Sequence, residues 1–200
     1  MIISGVAIDG QIVRSVQESL PIIRQISDAV LRDKIVYAWA YSLQINGYTK
    51  IEEMPGSGMP EAASIGNQLH HIRAVAANAL SIYDNLCDVY ETDMGISRDM
   101  LIACAVCHDI GKPYEYNTEN RKRWSENSKL TGMPNVRHPA YGVYIAISAG
   151  LPEEVVHVCG YHSPEGRFVQ RSVYGTIVHY ADDGSWFSLA AAFDLNIPKL

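Results

Sequence analysis

No stretch of this 200-residue sequence reaches the ~18 apolar residues that a membrane-spanning helix requires, and the N-terminus carries no basic leader. These absences predict a cytoplasmic protein without a membrane partner. Basic residues are also few, with 16 Lys and Arg against 22 Asp and Glu and a net charge of −6. Because duplex nucleic acid is bound through many Lys and Arg contacts, this balance argues against it as a partner. A small anion needs only a local basic cluster and stays compatible with the composition.

Several common motifs of catalysis are missing as well. The chain contains no P-loop, no G-x-S-x-G elbow and no H-E-x-x-H helix. Cysteine occurs only four times, which fits reduced thiols. Cys104 and Cys107 form a CxxC pair, but no second pair accompanies it, and the spacing places both on one face of a helix. We interpret them as buried core thiols, in preference to a zinc knuckle or a redox pair.

Alternation of apolar and polar residues, the pattern of a half-buried strand, is lacking, whereas helical periodicity is frequent. The predicted fold class is therefore all-α. Helices are predicted over residues 11–31, with Pro21 opening a second helix, and over residues 32–45, 61–90, 97–109, 138–149, 152–162 and 172–183, with a polar loop at 111–136. We expect residues 1–60 to form an N-terminal helical extension packed on a domain of residues 61–200, the two making one compact unit.

Each of five predicted helices carries one or two histidine or aspartate side chains that could bind a metal ion. They are His70 and His71 on the long helix, His108 and Asp109 at the end of the next, then His138, His162, and Asp182 or Asp183. A catalytic transition-metal site takes such ligands from several elements and leaves coordination positions open. His157 and His179 lie beside this series and are interpreted as packing or orienting residues.

Five segments carry a resemblance to a known family. In chain order they read HHIRAVA, CHDIGK, RHPAYG, GYHSPEG and YADD. They resemble the motifs of the HD-domain superfamily of metal-dependent phosphohydrolases, over about residues 65–185. The resemblance implies an HD-domain-like helical bundle with metal-binding residues for residues 61–200. In the first motif, Val75 selects His71 over His70 as the ligand.

The same resemblance implies a binuclear site with six ligands. One divalent transition metal ion (Mn, Fe, Co, Ni or Zn) would be held by His71, His108, Asp109 and Asp182. A second would be held by His138 and His162 with Asp109 as the bridge, so that one or two ions bind per chain. Adjacent residues of a helix project about 100° apart, which lets His108 serve one ion while Asp109 reaches between two.

A cluster of basic residues accompanies these motifs. Six Lys and Arg residues against three Glu residues lie from Lys112 to Arg137. Lys112 directly follows the ligand pair and is predicted to take part in catalysis with Asp109 and to contact substrate. Arg137, Arg167 and Arg171 are further predicted substrate contacts, because a guanidinium group binds phosphate oxygens bidentately. The alternative interpretation of the segment is a solvated charged loop.

The function predicted from the resemblance is hydrolysis of a small phosphate ester, such as a nucleotide, by a metal-bound hydroxide. The alternative is an oxygenase of the same family that uses two irons and dioxygen, since iron accepts histidine and carboxylate ligands as manganese does. Tyr114, Tyr116 and Trp124 are candidates to stack on a substrate ring or simply to pack the loop. A homodimer formed through the first helices is compatible with the sequence, although no feature requires it.

Overall fold

The chain folds into a bundle of α-helices, and the all-α fold class is confirmed. The structure, a computed structural model, describes residues 1–57 and 64–195. The helices are α1 (Gly10–Ser19), α2 (Ala29–Ile45), α3 (Gln68–Val89), α4 (Arg98–Cys107), α5 (Lys112–Tyr116), α6 (Thr118–Glu126), α7 (Ser128–Thr131), α8 (His138–Ser148), α9 (Glu153–Tyr161) and α10 (Val173–Ala192). Short 3-10 segments lie at Pro21–Gln25, Ile51–Glu53 and Pro164–Phe168. Among the helices of the described residues, none combines the length and the apolar character that crossing a bilayer demands.

Some local predictions were wrong. The first residues form a small antiparallel hairpin of β1 (Ile2–Ile3) and β2 (Val6–Ala7), which no alternation in the sequence announced. Pro21 opens a 3-10 turn instead of an α-helix, and α10 continues to Ala192. The predicted loop at 111–136 contains α5, α6 and α7, because buried Trp124 anchors the segment and the Asn117 side chain caps α6.

Helix α3 starts later than predicted. Of the predicted span 61–90, residues 61–63 lie outside the described residues. The tail of the chain from residue 196 onward also lies outside them. The helix begins at Gln68, behind Asn67, whose side chain accepts hydrogen bonds from the backbone nitrogens of Leu69 and His70. Such a cap contributes about 1 kcal/mol and fixes the helix start. It therefore also fixes the position of His71 in the first turn.

Helix α4 is the central element of the bundle. Each residue from Leu101 to Cys107 is buried, and α2, α3, α9 and α10 pack around it. A helix that is apolar on all sides is stable only when it is covered on all sides. Cys104 and Cys107 lie in this core as free thiols, which agrees with a packing role.

The turn that follows α4 is held by side chains of α2. The last carbonyl groups of a helix have no partner within it and need one elsewhere when they are buried. The Val106 carbonyl accepts a hydrogen bond from Trp39 Nε1 at 2.9 Å, and the Ile110 carbonyl accepts one from the Ser42 hydroxyl at 2.6 Å. These contacts join the N-terminal helices to the central helix. The proposed boundary at residue 60 stays a prediction.

Helix α8 begins directly against the same turn. A Cβ atom on Gly111 would lie 2.0 Å from the His138 carbonyl oxygen and 2.6 Å from the backbone nitrogen of Gly142. The φ angle of Gly111 is −85°, an ordinary value, so glycine is required here for space and not for backbone conformation. Two segments that carry candidate ligands therefore touch through their backbones.

We expect Gly111→Ala to lower the free energy of unfolding by at least about 1–3 kcal/mol, because backbone atoms of α8 must move to admit the methyl group. Gly184→Ala on α10 is the matched control, since a Cβ atom there meets nothing within 4 Å and alanine favours a helix. Urea unfolding of both variants and of the parent chain measures the difference. Equal stability of the two variants would contradict the close approach.

Candidate metal centre

Five helices bring six side chains to one place. His71 lies in the first turn of α3, His108 and Asp109 follow α4, and His138 is the first residue of α8. His162 follows α9, and Asp182 lies within α10. Ligand atoms of these residues form overlapping groups of three in which all atoms lie within 4.8 Å of one another. The structure thus brings together all six residues that the resemblance implied as ligands.

The carboxylate of Asp109 lies at the middle of this cluster. Its Oδ2 atom is 3.3 Å from Nε2 of His71 and 3.4 Å from Nε2 of His108. Its Oδ1 atom is 3.2 Å from Nε2 of His138 and 3.6 Å from Nε2 of His162. Each oxygen therefore faces its own pair of imidazoles, and the two halves of the site share one carboxylate.

The spacing of these atoms fits ligands around cations. Atoms bound about 2.1 Å from one ion, at octahedral to tetrahedral angles, lie roughly 3.0–3.4 Å apart. The Nε2 atoms of His71 and His108 are 3.2 Å apart, and those of His138 and His162 are 3.4 Å apart. Asp182 Oδ1 lies 3.2 Å from Nε2 of His71, which adds a second carboxylate to the first half.

The tautomers of two imidazoles are fixed by backbone carbonyl groups. Nδ1 of His108 lies 2.7 Å from the Ala105 carbonyl oxygen, and Nδ1 of His162 lies 3.0 Å from that of Val158. A carbonyl oxygen can only accept, so each Nδ1 carries a proton, and each ring in its neutral form turns a lone pair on Nε2 toward Asp109. Acceptors that face one another in this way are satisfied by a cation.

Glu115 fixes the third imidazole, a role that the sequence did not indicate. Its buried carboxylate lies 2.7 Å from Nδ1 of His138, accepts a hydrogen bond from the backbone nitrogen of the same residue, and pairs with Arg137 at 2.9 Å. Burial opposes its ionisation, but the hydrogen bond from His138 and the charges of Lys112 and Arg137 lower the pKa of Glu115 to about 2. A carboxylate of this kind orients a metal-binding histidine.

The centre concentrates negative charge. Burial opposes the ionisation of Asp109, yet the charge of Lys112 and the neighbouring imidazoles hold its pKa well below the ordinary value. Burial likewise disfavours a protonated His71, but Asp109 and Asp182 raise the pKa of His71 to about 9. Burial, aided by the charge of Lys112, lowers the pKa of His138 to about 4. Two ionised carboxylates therefore lie in a poorly solvated site that favours positive charge.

Gln68 is a further residue that sequence reasoning missed. Its side chain is fully buried, and its Nε2 atom donates a hydrogen bond to Asp109 Oδ2 at 2.6 Å. Among the buried side-chain nitrogen and oxygen atoms of the described residues, its Oε1 is the one without a hydrogen-bond partner. No pattern marks Gln68 in the sequence, because its contact spans 41 residues.

The predicted substrate contacts fall into two groups. Lys112 and Arg137 line a cavity of about 400 Å³ at the centre. Lys112 Nζ lies 3.9 Å from Asp109 Oδ1 and donates to the Tyr116 hydroxyl at 3.1 Å. Arg167 and Arg171 are not among the described residues that line this cavity, and Arg171 donates to the backbone carbonyls of Tyr161 and Ser163. The role of these basic residues stays a prediction.

The remaining histidines make contacts outside the cluster. His70 Nδ1 accepts from the backbone nitrogen of Asn67, and His157 Nε2 accepts from that of Ser172. His179 Nδ1 donates to the His162 carbonyl at 2.7 Å, which agrees with an orienting or packing role. Two of the three aromatic residues proposed to stack on a substrate or to pack the loop are packed within the protein, since Tyr114 stacks on Tyr141 with ring centroids 4.1 Å apart and Trp124 is buried. The third, Tyr116, lines the main cavity.

These features define a class of helical protein in which five helices bring histidines and aspartates into one cluster that can hold a metal ion. The family model described as HD domain matches residues 69–185, and the chain belongs to the HD-domain family. It is similar to the dihydroneopterin 2',3'-cyclic phosphate phosphodiesterase of Methanocaldococcus jannaschii, with 31% identity over 134 residues. The match covers 66% of this chain and 51% of that protein, so the chain spans about half the length of its relative. No solved structure matches the chain.

We expect Gln68→Met to weaken binding of the ion nearest His71 by about 10- to 100-fold, because Asp109 loses the donor that orients Oδ2. Titration of metal-free protein with Mn²⁺, followed by electron paramagnetic resonance, measures the affinity. Asn78→Leu is the matched control, since Asn78 also lies on α3 but donates to Ser185 at 2.8 Å, away from Asp109. An equal loss of Mn²⁺ affinity in both variants would contradict this role of Gln68, because it would show that any disturbance of α3 weakens metal binding.

Proposed function

We propose that this protein is a metal-dependent phosphohydrolase that acts on a small phosphate ester and uses two divalent transition metal ions. The observation that carries the proposal is the division of Asp109 between two pairs of imidazoles, at 3.2–3.6 Å from each. Ions held by the two pairs of imidazoles would share this carboxylate, and paired divalent ions can stabilise both the attacking and the leaving oxygen of an in-line displacement. The Mn, Fe, Co, Ni and Zn ions all accept this set of ligands.

The site combines residues that would hold metal ions with a cationic side chain, Lys112, that would contact the substrate. Bound cations would lower the pKa of a water molecule and polarise the phosphoryl group. Asp109 keeps the two halves of the site together, and Glu115 holds His138 in the tautomer that presents Nε2. Burial disfavours the charge of Lys112, but Asp109 raises the pKa of Lys112 above its ordinary value, so that it stays protonated. Its ammonium group is placed to bind a phosphoryl oxygen.

The cavity supports a small anionic substrate. It has a volume of about 400 Å³, and its described lining includes the cations Lys112, Arg121 and Arg137. Small-molecule sites commonly occupy about 300–1,000 Å³. The relative's name specifies a cyclic phosphodiester, which makes 2',3'-cyclic phosphates and phosphomonoesters of nucleosides or pterins the first substrates to test. A homodimer stays a prediction.

Hydrolysis should proceed without oxygen. We expect protein loaded with Mn²⁺ to cleave a 2',3'-cyclic nucleotide or a nucleotide monoester equally well in air and under nitrogen. His71→Ala should lower kcat/KM by more than about 100-fold, because loss of a ligand exceeds the 10- to 100-fold cost of losing a ligand's partner. His157→Ala, outside the cluster, serves as the control. Turnover that stops when oxygen is excluded would contradict the proposal and support an iron oxygenase.

The number of ions bound per chain should fall when a ligand of one ion is removed. We expect about two ions per chain in the parent protein and about one in His138→Ala, because each ion needs its own imidazoles. Inductively coupled plasma mass spectrometry after loading with Mn²⁺ and desalting gives the ratio, again with His157→Ala as the control. Unchanged metal content in His138→Ala would contradict the binuclear arrangement.

A further inference from the structure

A second cavity opens beside the metal centre. It has a volume of about 240 Å³ and shares Gly56, His71 and Trp186 with the main cavity. We call it the apolar slot, defined by the side chains of Ile65, Ala74, Trp186 and Leu189. The slot and the main cavity are therefore adjacent at His71 and Trp186, and one molecule can reach both.

The lining of the slot differs in chemistry from that of the main cavity. The main cavity contains lysine, arginine, aspartate and glutamate side chains, whereas the described lining of the slot contains none of these four residue types. A wall without these side chains, next to a strongly charged centre, suits a ligand with an anionic end and an apolar end. A phosphate ester of an aromatic ring system is such a ligand.

Local structure explains why an indole lies there. Trp186 follows Asp182 by four residues on α10, and residues at that spacing share a helix face. The opposite wall comes from α3, where Ala74 follows His71 by three residues and its small side chain leaves the space open. Backbone forms a third side of the slot, since Pro55 and Asn67 form a β-bridge and a Cβ atom on Gly56 would lie 3.1 Å from the Asn67 carbonyl oxygen.

We propose that the apolar slot binds the planar ring of the substrate and that Trp186 provides the stacking surface for it. The substrate class is then the phosphate esters of planar nitrogen heterocycles, such as nucleosides and pterins, with the ester at the cations and the ring against the indole. Tryptophan offers a large rigid face at a low entropic cost, and ring stacking on such a face tolerates different heterocycles. The position given to the ester rests on the proposed function. The position given to the ring rests only on the slot.

Kinetic comparison of two substrates tests the slot. The measured quantity is the ratio of kcat/KM for a nucleoside 3'-phosphate to that for glycerol 2-phosphate, which has no ring. We expect Trp186→Ala to lower this ratio by about tenfold, the effect that loss of one aromatic stacking partner has on a base. Ala74→Leu, which fills the slot and leaves the indole in place, should lower the ratio as well. Phe193→Ala, an exposed aromatic at the end of α10, is the control and should leave the ratio unchanged.

Fluorescence separates this inference from the proposed function. Trp39 and Trp124 are buried, whereas Trp186 is partly exposed in the slot, so a stacked ring should quench the emission of Trp186 alone. We expect quenching by adenosine, guanosine or neopterin, none of which carries a phosphate, and its loss in Trp186→Phe. Quenching without any hydrolysis would support the slot and contradict the proposed function. Absence of quenching by all three, or a ratio that Trp186→Ala leaves unchanged, would overturn the slot.

Discussion

Both oxygens of Asp109 face imidazole nitrogens, and the geometry of the whole site follows from this shared carboxylate. A buried carboxylate is costly unless it is paired, and this one faces Nε2 atoms of four histidines and accepts a hydrogen bond from Gln68. Such an arrangement is stable when cations occupy the space between the acceptors. The affinity for metal is thus a consequence of how the protein buries one negative charge.

Hydrogen bonds within the protein hold the groups around this carboxylate in place before any ion binds. Trp39 and Ser42 bond carbonyl groups at the turn after α4, and Gly111 lets α8 approach that turn at backbone distance. Glu115 and the carbonyl groups of α4 and α9 fix the imidazole tautomers. Because His108, Asp109, His138 and His162 are each restrained by a partner of their own, these four ligands need little reorganisation when an ion binds.

Features that depend on local sequence were predictable. The predicted end of a helix at residue 45 and the predicted start of another at residue 97 are confirmed, since Gly47 takes a positive φ after α2 and the Ser97 side chain caps α4. Caps and turns of this kind are decided by a few neighbouring residues. The candidate metal ligands were also predictable, because short sequence motifs carry the histidines and aspartates in a characteristic order along the chain. Glu115, Gln68 and Trp186 were not, since their contacts join positions that only the packed bundle brings together. The short helices α5 to α7 were missed because packing of Trp124, and not periodicity, stabilises them.

Anomalous diffraction from crystals grown with Mn²⁺ would show whether Asp109 lies between two bound ions. We expect two peaks, one bounded by His71, His108 and Asp182 and the other by His138 and His162, with one oxygen of Asp109 directed at each. A single peak that engages one oxygen of Asp109, or metal bound elsewhere while the six side chains stay empty, would contradict it.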